Sequence, residues 1–252
     1  MASISSCSGP RCAGRPPPRS RGGFPSAPAT AARSCSPPEP GPPSTSSCGP
    51  TSRALATEWD AADPRTAHDI AQFFRTSTSY LYNLAIWEAS GNRPAYVPLA
   101  LPTLVRRGSK TVLDYGCGIG SDTLPLRQSG FDVVGCDFES PSTAFLRWRS
   151  HETISVIEPR ELALINAPDT LWIIDTLDHL ADIETSLGTV LSTVDLMVTE
   201  NLTTNRGHGQ QRFHTRRPYS ELVSLFARYG LFPIDNAATT TVMFWARDQT
   251  QQ

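Results

Sequence analysis

The sequence predicts an α/β fold built on a mostly parallel sheet, on three observations. The first is TVLDYGCGIGS, residues 111–121, where a short apolar strand runs straight into a loop of alternating glycines. The second is FDVVGCD, residues 131–137, an apolar run ending on Asp137. That acid lies about 20 residues past the glycines, the spacing at which a carboxylate reaches a ribose hydroxyl. The third is the order of the remainder, in which apolar runs of strand length alternate with stretches of helical period.

The whole chain sets limits. It has 252 residues and a formal net charge of −2, with no strongly basic stripe. Nucleic acid is therefore not the expected partner, since binding it usually takes a concentrated positive patch. No apolar run approaches the roughly 18 residues that would suggest a membrane span. Of six cysteines, Cys7, Cys12, Cys35 and Cys48 precede the predicted domain, and Cys117 and Cys136 lie in its core. No CxxC pair, no HxxxH pair on a helix and no apolar signal segment occurs, so neither a metal site nor a secreted disulfide scaffold is expected. A cytoplasmic setting is the simplest expectation.

Residues 1–56 are Pro, Ser, Gly, Ala and Arg with a single acid, Glu39, and a single aromatic, Phe24. Such a stretch cannot bury enough surface to offset its ordering entropy, so a disordered tail is expected. It reads either as an organelle transit peptide or as an extension without a catalytic role. Order is expected from Thr57, opening a domain over 57–252. Asp63-Pro64 reads as a helix start, the acid at N-cap and the proline at N1. Apolar residues Ile70, Phe73, Phe74, Leu81, Leu84, Ala85 and Trp87 continue that helix to Gly91. A second helical piece, roughly 97–105, carries Pro98 and Pro102. Together 57–108 form a helical lid, on which Tyr80, Tyr82 and Trp87 either line a pocket or pack on the sheet.

After the glycine loop, 122–128 reads as a helix capped by Ser121 and ended by Gly130. Phe138 follows the second strand and either lies on a purine face or packs under the loop. Ser140-Pro141 opens an amphipathic helix with Phe145, Leu146 and Trp148 inward and Arg147 and Arg149 outward. Ile154–Ile157 is the third strand, with Glu158 at its end. Leu171–Leu177 is the fourth, opening at the carboxyl edge where α/β proteins bind ligands. It places Asp175, Asp178 and His179 at the site. His179 is a candidate base, since its unperturbed pKa lies near neutral, or else a packed structural histidine. Residues 183–192 suit a helix and Val194–Glu200 a fifth strand. The long polar loop 201–218 follows, and His214 within it is the second candidate base or substrate anchor. A helix over 219–229 and two antiparallel strands, Leu231–Asp235 and Thr240–Trp245, complete the chain.

The loop discriminates between two nucleotide-binding patterns. The dinucleotide fingerprint GxGxxG would need a third glycine at Ser121. Here the third glycine is Gly120, and the sequence from Asp114 instead reads acidic-x-Gly-x-Gly-x-Gly. With VLDYGCGIGSD, the strand ending at Asp137, IIDTLDHLAD and VTEN, residues 64–247 resemble the class I S-adenosylmethionine-dependent methyltransferases. The stretch DFESPSTAFLRWR is similar to a subgroup of bacterial small-molecule methyltransferases. The resemblance implies a Rossmann-like sheet of seven strands, mostly parallel, with the last strand antiparallel. It implies S-adenosylmethionine as cofactor, Asp114, Gly116, Gly118 and Gly120 at its methionine end, and Asp137 on its ribose. Phe138 and Asp175 join the candidate cofactor set. The activity implied is methyl transfer to a small-molecule acceptor by in-line displacement. No Asn/Asp-Pro-Pro-Tyr/Phe motif follows the fourth strand, which argues against amino methylation of DNA or protein glutamine. Two alternatives stay open, an NAD(P)-binding oxidoreductase and a non-catalytic subunit of the same fold.

Overall fold

Strand β1 (Thr111–Tyr115) shows how the molecule is layered. Side chains alternate along a strand, so Val112 enters the core on one face of the sheet while Leu113 and Tyr115 enter the core on the other. Burial on both faces explains why the central strands read as unbroken apolar runs. The computed structural model describes residues 50–201, 215, 217–234 and 241–247. These lie in one unit, Ser44–Gln252. Residues 1–49 of the expected tail lie outside the described residues.

Seven strands form one sheet in the order β3-β2-β1-β4-β5-β7-β6. After β1 come β2 (Asp132–Cys136), β3 (Ser155–Ile157), β4 (Thr170–Ile173), β5 (Leu196–Glu200), β6 (Leu231–Pro233) and β7 (Val242–Arg247). The first five pair in parallel, and β7 runs antiparallel to both β5 and β6. The order reverses direction between β1 and β4, and at such a switch point the carboxyl ends of the strands open a crevice for ligands.

Four helices precede the sheet: α1 (Pro50–Ala62), α2 (Ala67–Thr76), α3 (Thr78–Ala89) and α4 (Tyr96–Arg107). Helix α4 packs Tyr96, Val97, Ala100 and Leu104 beneath β1, β4, β5 and β7. Helices α7 (Ile183–Leu191) and α8 (Tyr219–Ala227) cover the opposite face around Trp245 and Phe226. Helices α5 (Thr123–Gln128) and α6 (Pro141–Arg149) follow β1 and β2. Ser140 caps α6, accepting the Thr143 N–H, with Pro141 at N1 as its sequence signals.

Several local expectations are corrected. Helical structure begins at Pro50, ahead of Thr57, and Asp63-Pro64 lies between α1 and α2 with Asp63 at φ +42°. The N-cap of α2 is Thr66, held in a capping box with Asp69. The helix expected to run through to Gly91 is broken at Ser77, which ends α2 and caps α3 by accepting the Tyr80 N–H. The apolar spacing continues across the break because Phe74 of α2 and Tyr80 of α3 pack edge-on and both line the crevice. Strand β4 stops at Ile173, and Leu177–His179 is a 3₁₀ turn. Trp148 is 69% exposed, and Arg149 turns inward instead. Of the final strands, Asp235 and Thr240 lie outside the described residues. No helix among the described residues is long and apolar enough to cross a membrane.

Candidate active site

Strand β1 delivers Asp114 and the loop after it to the carboxyl edge of the sheet. Gly116 holds φ +79°, and its N–H donates to the Cys136 carbonyl of β2 at 2.7 Å. A Cβ there would stand 2.1 Å from Thr176 Oγ1, so only glycine lets the loop meet the segment leaving β4. Gly120 has a different task. A Cβ at that position would lie 2.3 Å from Leu146 Cδ1, so it admits the close packing of α6.

Two cavities flank the loop. The smaller, about 40 Å³, is lined by Asp114, Gly116 and Gly118, with Arg93 and Asp122 among the residues around it. The larger, about 290 Å³, is lined by Asp137, Phe138 and His179 beneath Ile70, Ala71 and Phe74 of α2. Tyr80, Gly116 and Asp175 line both, so the two chambers adjoin at these residues.

Carboxylates dominate the electrostatics. Asp137 Oδ2 accepts the Gly118 N–H at 2.9 Å and its Oδ1 accepts the Phe138 N–H at 2.7 Å, which fixes the acid against the loop. Its pKa is raised by burial, opposed by these two bonds. Burial, then the charge of Asp122, push the Asp114 carboxyl up to about 7, while Thr123 Oγ1 donates to it at 2.6 Å. Glu200, at the end of β5, accepts the Asp175 N–H at 2.8 Å. Burial and the charges of Asp178 and Asp175 push Glu200 up to about 8. Burial, with Asp175, Asp137 and Asp178 nearby, also raises the Tyr80 phenol, so its hydroxyl stays protonated. His179 packs edge-on against Phe74, ring centroids 5.8 Å apart, with Nε2 4.0 Å from Asp178 Oδ1. Burial raises the Cys117 thiol well above its ordinary value, which leaves it a packing residue and not a thiolate.

The lid is fastened to the loop by ion pairs. Arg93 engages Asp122 in a two-pronged bond of 2.7 and 2.6 Å, and Trp172 Nε1 donates to the same carboxylate at 3.0 Å. Arg149 of α6 bonds Glu88 of α3 at 2.7 Å and the Ile119 carbonyl of the loop at 3.0 Å. At the far edge, the Arg75 guanidinium lies 4.6 Å over the Phe138 ring and pairs with Glu158.

A methyltransferase-domain family model matches residues 90–231, which includes the glycine loop, Asp137 and the strand-four segment. The chain belongs to this family. No protein of curated function matches the sequence. Among solved structures, the sugar N-methyltransferase KedS8 of Streptoalloteichus is similar at 14% identity, over 67% of this chain and 93% of that one, TM-score 0.53. An S-adenosylmethionine-dependent methyltransferase of Clostridium acetobutylicum is similar at 10% identity, over 66% and 97%, TM-score 0.53. DesVI of Streptomyces venezuelae is similar at 12% identity, over 68% and 99%, TM-score 0.53. At these identities the likeness is one of fold. The protein is thus an S-adenosylmethionine-dependent methyltransferase, and the dinucleotide alternative is set aside. The site fits that cofactor: the side-chain-free cradle at Gly116 and the acid at Asp137 face two adjoining chambers.

The structure brings most of the expected site residues of the methyltransferase together. Asp114, Gly116, Gly118, Asp137, Phe138, Asp175 and His179 all line one or both chambers, and Gly120 lines neither. His214 lies outside the described residues. Tyr80, not Tyr82, is the lid tyrosine at the site, since Tyr82 is 61% exposed. Glu158 is occupied by Arg75 and Arg160. The sequence reading missed Arg93, Asp122 and Glu200. Arg93 lies 29 residues from its partner, and no spacing rule joins a turn before α4 to a loop after β1. Glu200 was read only as the end of a strand. The signal available was its charge at the carboxyl edge of an otherwise apolar run.

Proposed function

We propose that this methyltransferase acts on a small-molecule acceptor that enters the larger chamber and meets the methyl group where the two chambers join. The observation that carries this reading is that junction, framed by Tyr80, Gly116 and Asp175 with His179 on the larger side. A cleft of about 290 Å³ under helix α2 suits a small molecule. The net charge of −2 does not favour a nucleic-acid track. That one structure of the same fold, KedS8, is described as a sugar N-methyltransferase agrees with a small acceptor.

In this reading Asp137 accepts hydrogen bonds from the ribose hydroxyls and Phe138 covers the base. Asp114, Gly116 and Gly118 hold the methionine end, and Gly120 keeps the loop in shape. Arg93, paired with Asp122, closes that end of the smaller chamber. Bound there, the cofactor supplies a methyl carbon already activated by its sulfonium. The protein's own work is then alignment and exclusion of water, which can be worth effective molarities of ~10⁵ M and above. The helices α1–α3 provide that exclusion in a domain that opens with α1 at Pro50, and the segment before it has no catalytic role. His179 removes a proton where the acceptor is protonated, with His214 as the second candidate for this role.

The test is transfer of labelled methyl from S-adenosylmethionine, by the full chain, to panels of small amines, phenols and hydroxy acids. Labelling of a small acceptor is expected, with His179→Ala lowering kcat about 100-fold near neutral pH and less at higher pH. Label passing only into protein or RNA would overturn the small-molecule reading. An unchanged kcat and pH profile in His179→Ala would remove His179 as base.

A further inference from the structure

Asp175 stands at the junction of the two chambers in a backbone conformation that a non-glycine residue rarely takes, φ +56°. Such a conformation persists only when its surroundings over-determine it. Here they do. Glu200, 6% exposed on the neighbouring strand β5, accepts the Asp175 N–H at 2.8 Å. On the other side, the Thr176 hydroxyl donates to the Ile174 carbonyl at 3.1 Å, and its side chain fills the space that a Cβ on Gly116 would need. The backbone at Asp175 is therefore held in place, which fixes where its side chain leaves the chain at the junction.

Among the described residues, acids outnumber cations around that position: the larger chamber is lined by Asp137, Asp175 and Asp182 and by no described Lys or Arg. The cation of the smaller chamber, Arg93, is matched by its bond to Asp122. Methyl transfer turns a sulfonium cation into a neutral thioether, so a carboxylate at the junction distinguishes donor from product by charge alone. We propose that Asp175, held by Glu200, makes this site bind S-adenosylmethionine more tightly than S-adenosylhomocysteine, so that the spent cofactor leaves readily. The proposal rests on the placement of the cofactor given under Proposed function. Asp175 here is a specificity-determining residue and Glu200 a positioning residue acting through it.

The experiment is calorimetric titration of the full chain with S-adenosylmethionine, S-adenosylhomocysteine and sinefungin, which carries an ammonium in place of the sulfonium. Two unit charges about 5 Å apart at an effective dielectric near 20 correspond to a preference of about 300-fold for the cationic ligands, of which screening leaves about 20-fold. Asp175→Asn keeps a residue that tolerates the left-handed backbone. It is expected to bring the ratio of the two dissociation constants near one by weakening the two cations and leaving S-adenosylhomocysteine within about 3-fold. Glu200→Gln retains a carbonyl oxygen for the Asp175 N–H and keeps the preference, whereas Glu200→Leu loses it. Equal or tighter binding of S-adenosylhomocysteine in the wild type, or a ratio unmoved by Asp175→Asn, overturns the inference and leaves the methyltransferase reading intact. Absence of binding by all three ligands would overturn the cofactor placement as well.

Discussion

Gly116→Ala is expected to eliminate measurable S-adenosylmethionine binding, a loss of more than about 100-fold, and to lower the melting temperature by about 5–10 °C. Two costs act together. An L-residue at φ +79° pays for the left-handed backbone, about 1–2 kcal/mol. The new methyl would also meet Thr176 at Oγ1, Cγ2 and Cβ, at 2.1, 2.4 and 2.7 Å. Thr176 has little freedom to yield, because its hydroxyl is bonded to the Ile174 carbonyl and Asp175 precedes it. The strain therefore passes to the junction between the chambers. Gly130→Ala provides the control, since it shares a positive φ of +95° but has nothing within 4 Å of the added carbon. It should cost stability alone, measured by thermal melting, and leave calorimetric binding unchanged.

Arg93→Ala is expected to be the most destabilising substitution in the lid, lowering the melting temperature by roughly 10 °C. The Arg93–Asp122 pair is well buried, with side-chain exposures of 13% and 6%. Arg93 keeps its charge there although burial opposes it, because the bond to Asp122 compensates. Truncating the arginine leaves the Asp122 carboxylate with the Trp172 N–H as a neutral donor, and breaking a buried pair in this way costs about 3–5 kcal/mol. Replacing both charges behaves differently. Arg93→Met combined with Asp122→Asn keeps an oxygen for Trp172 and removes the uncompensated charge, so the double variant should melt well above Arg93→Ala. A double variant no more stable than the single one would mean that the pair acts through lost packing alone. Cation–ring contacts of Arg93 with Tyr96 and Trp87, at 4.9 and 5.6 Å, set the scale of that packing.

The parts of this architecture that the sequence made legible are those with a local period or a local grammar. The run TVLDYGCGIGS forms β1 and its loop, and FDVVGCD ends at Asp137 over the Gly118 N–H. Ser140-Pro141 opens α6 as its capping signal says. Misreadings arose where tertiary contacts override local pattern. Ser77 divides an apolar periodicity into two helices because its hydroxyl donates to Glu58 of α1 at 2.9 Å while capping α3. Arg149 points inward because Glu88 and the Ile119 carbonyl lie there, which leaves Trp148 on the surface stacked on Phe145. The ion pairs that close the lid were invisible for the same reason. Arg93 meets Asp122 and Arg149 meets Glu88 across 29 and 61 residues, distances over which sequence carries no spacing rule. The acceptor is illegible because an activated methyl donor demands no fixed set of catalytic side chains.

The central claim is that the glycine loop and Asp137 together hold S-adenosylmethionine. Calorimetric titration of the full chain and of Asp137→Ala with S-adenosylmethionine, and with NAD in parallel, tests it most directly. Asp137→Asn accompanies them, because Asp137 also accepts the Gly118 and Phe138 N–H groups and an amide oxygen can keep one of these bonds. The expected result is micromolar binding of S-adenosylmethionine, silence with NAD, and weakening of about 100-fold in Asp137→Ala, the worth of two charge-assisted hydrogen bonds. Undiminished binding in both Asp137 variants, or binding of NAD alone, would contradict the account.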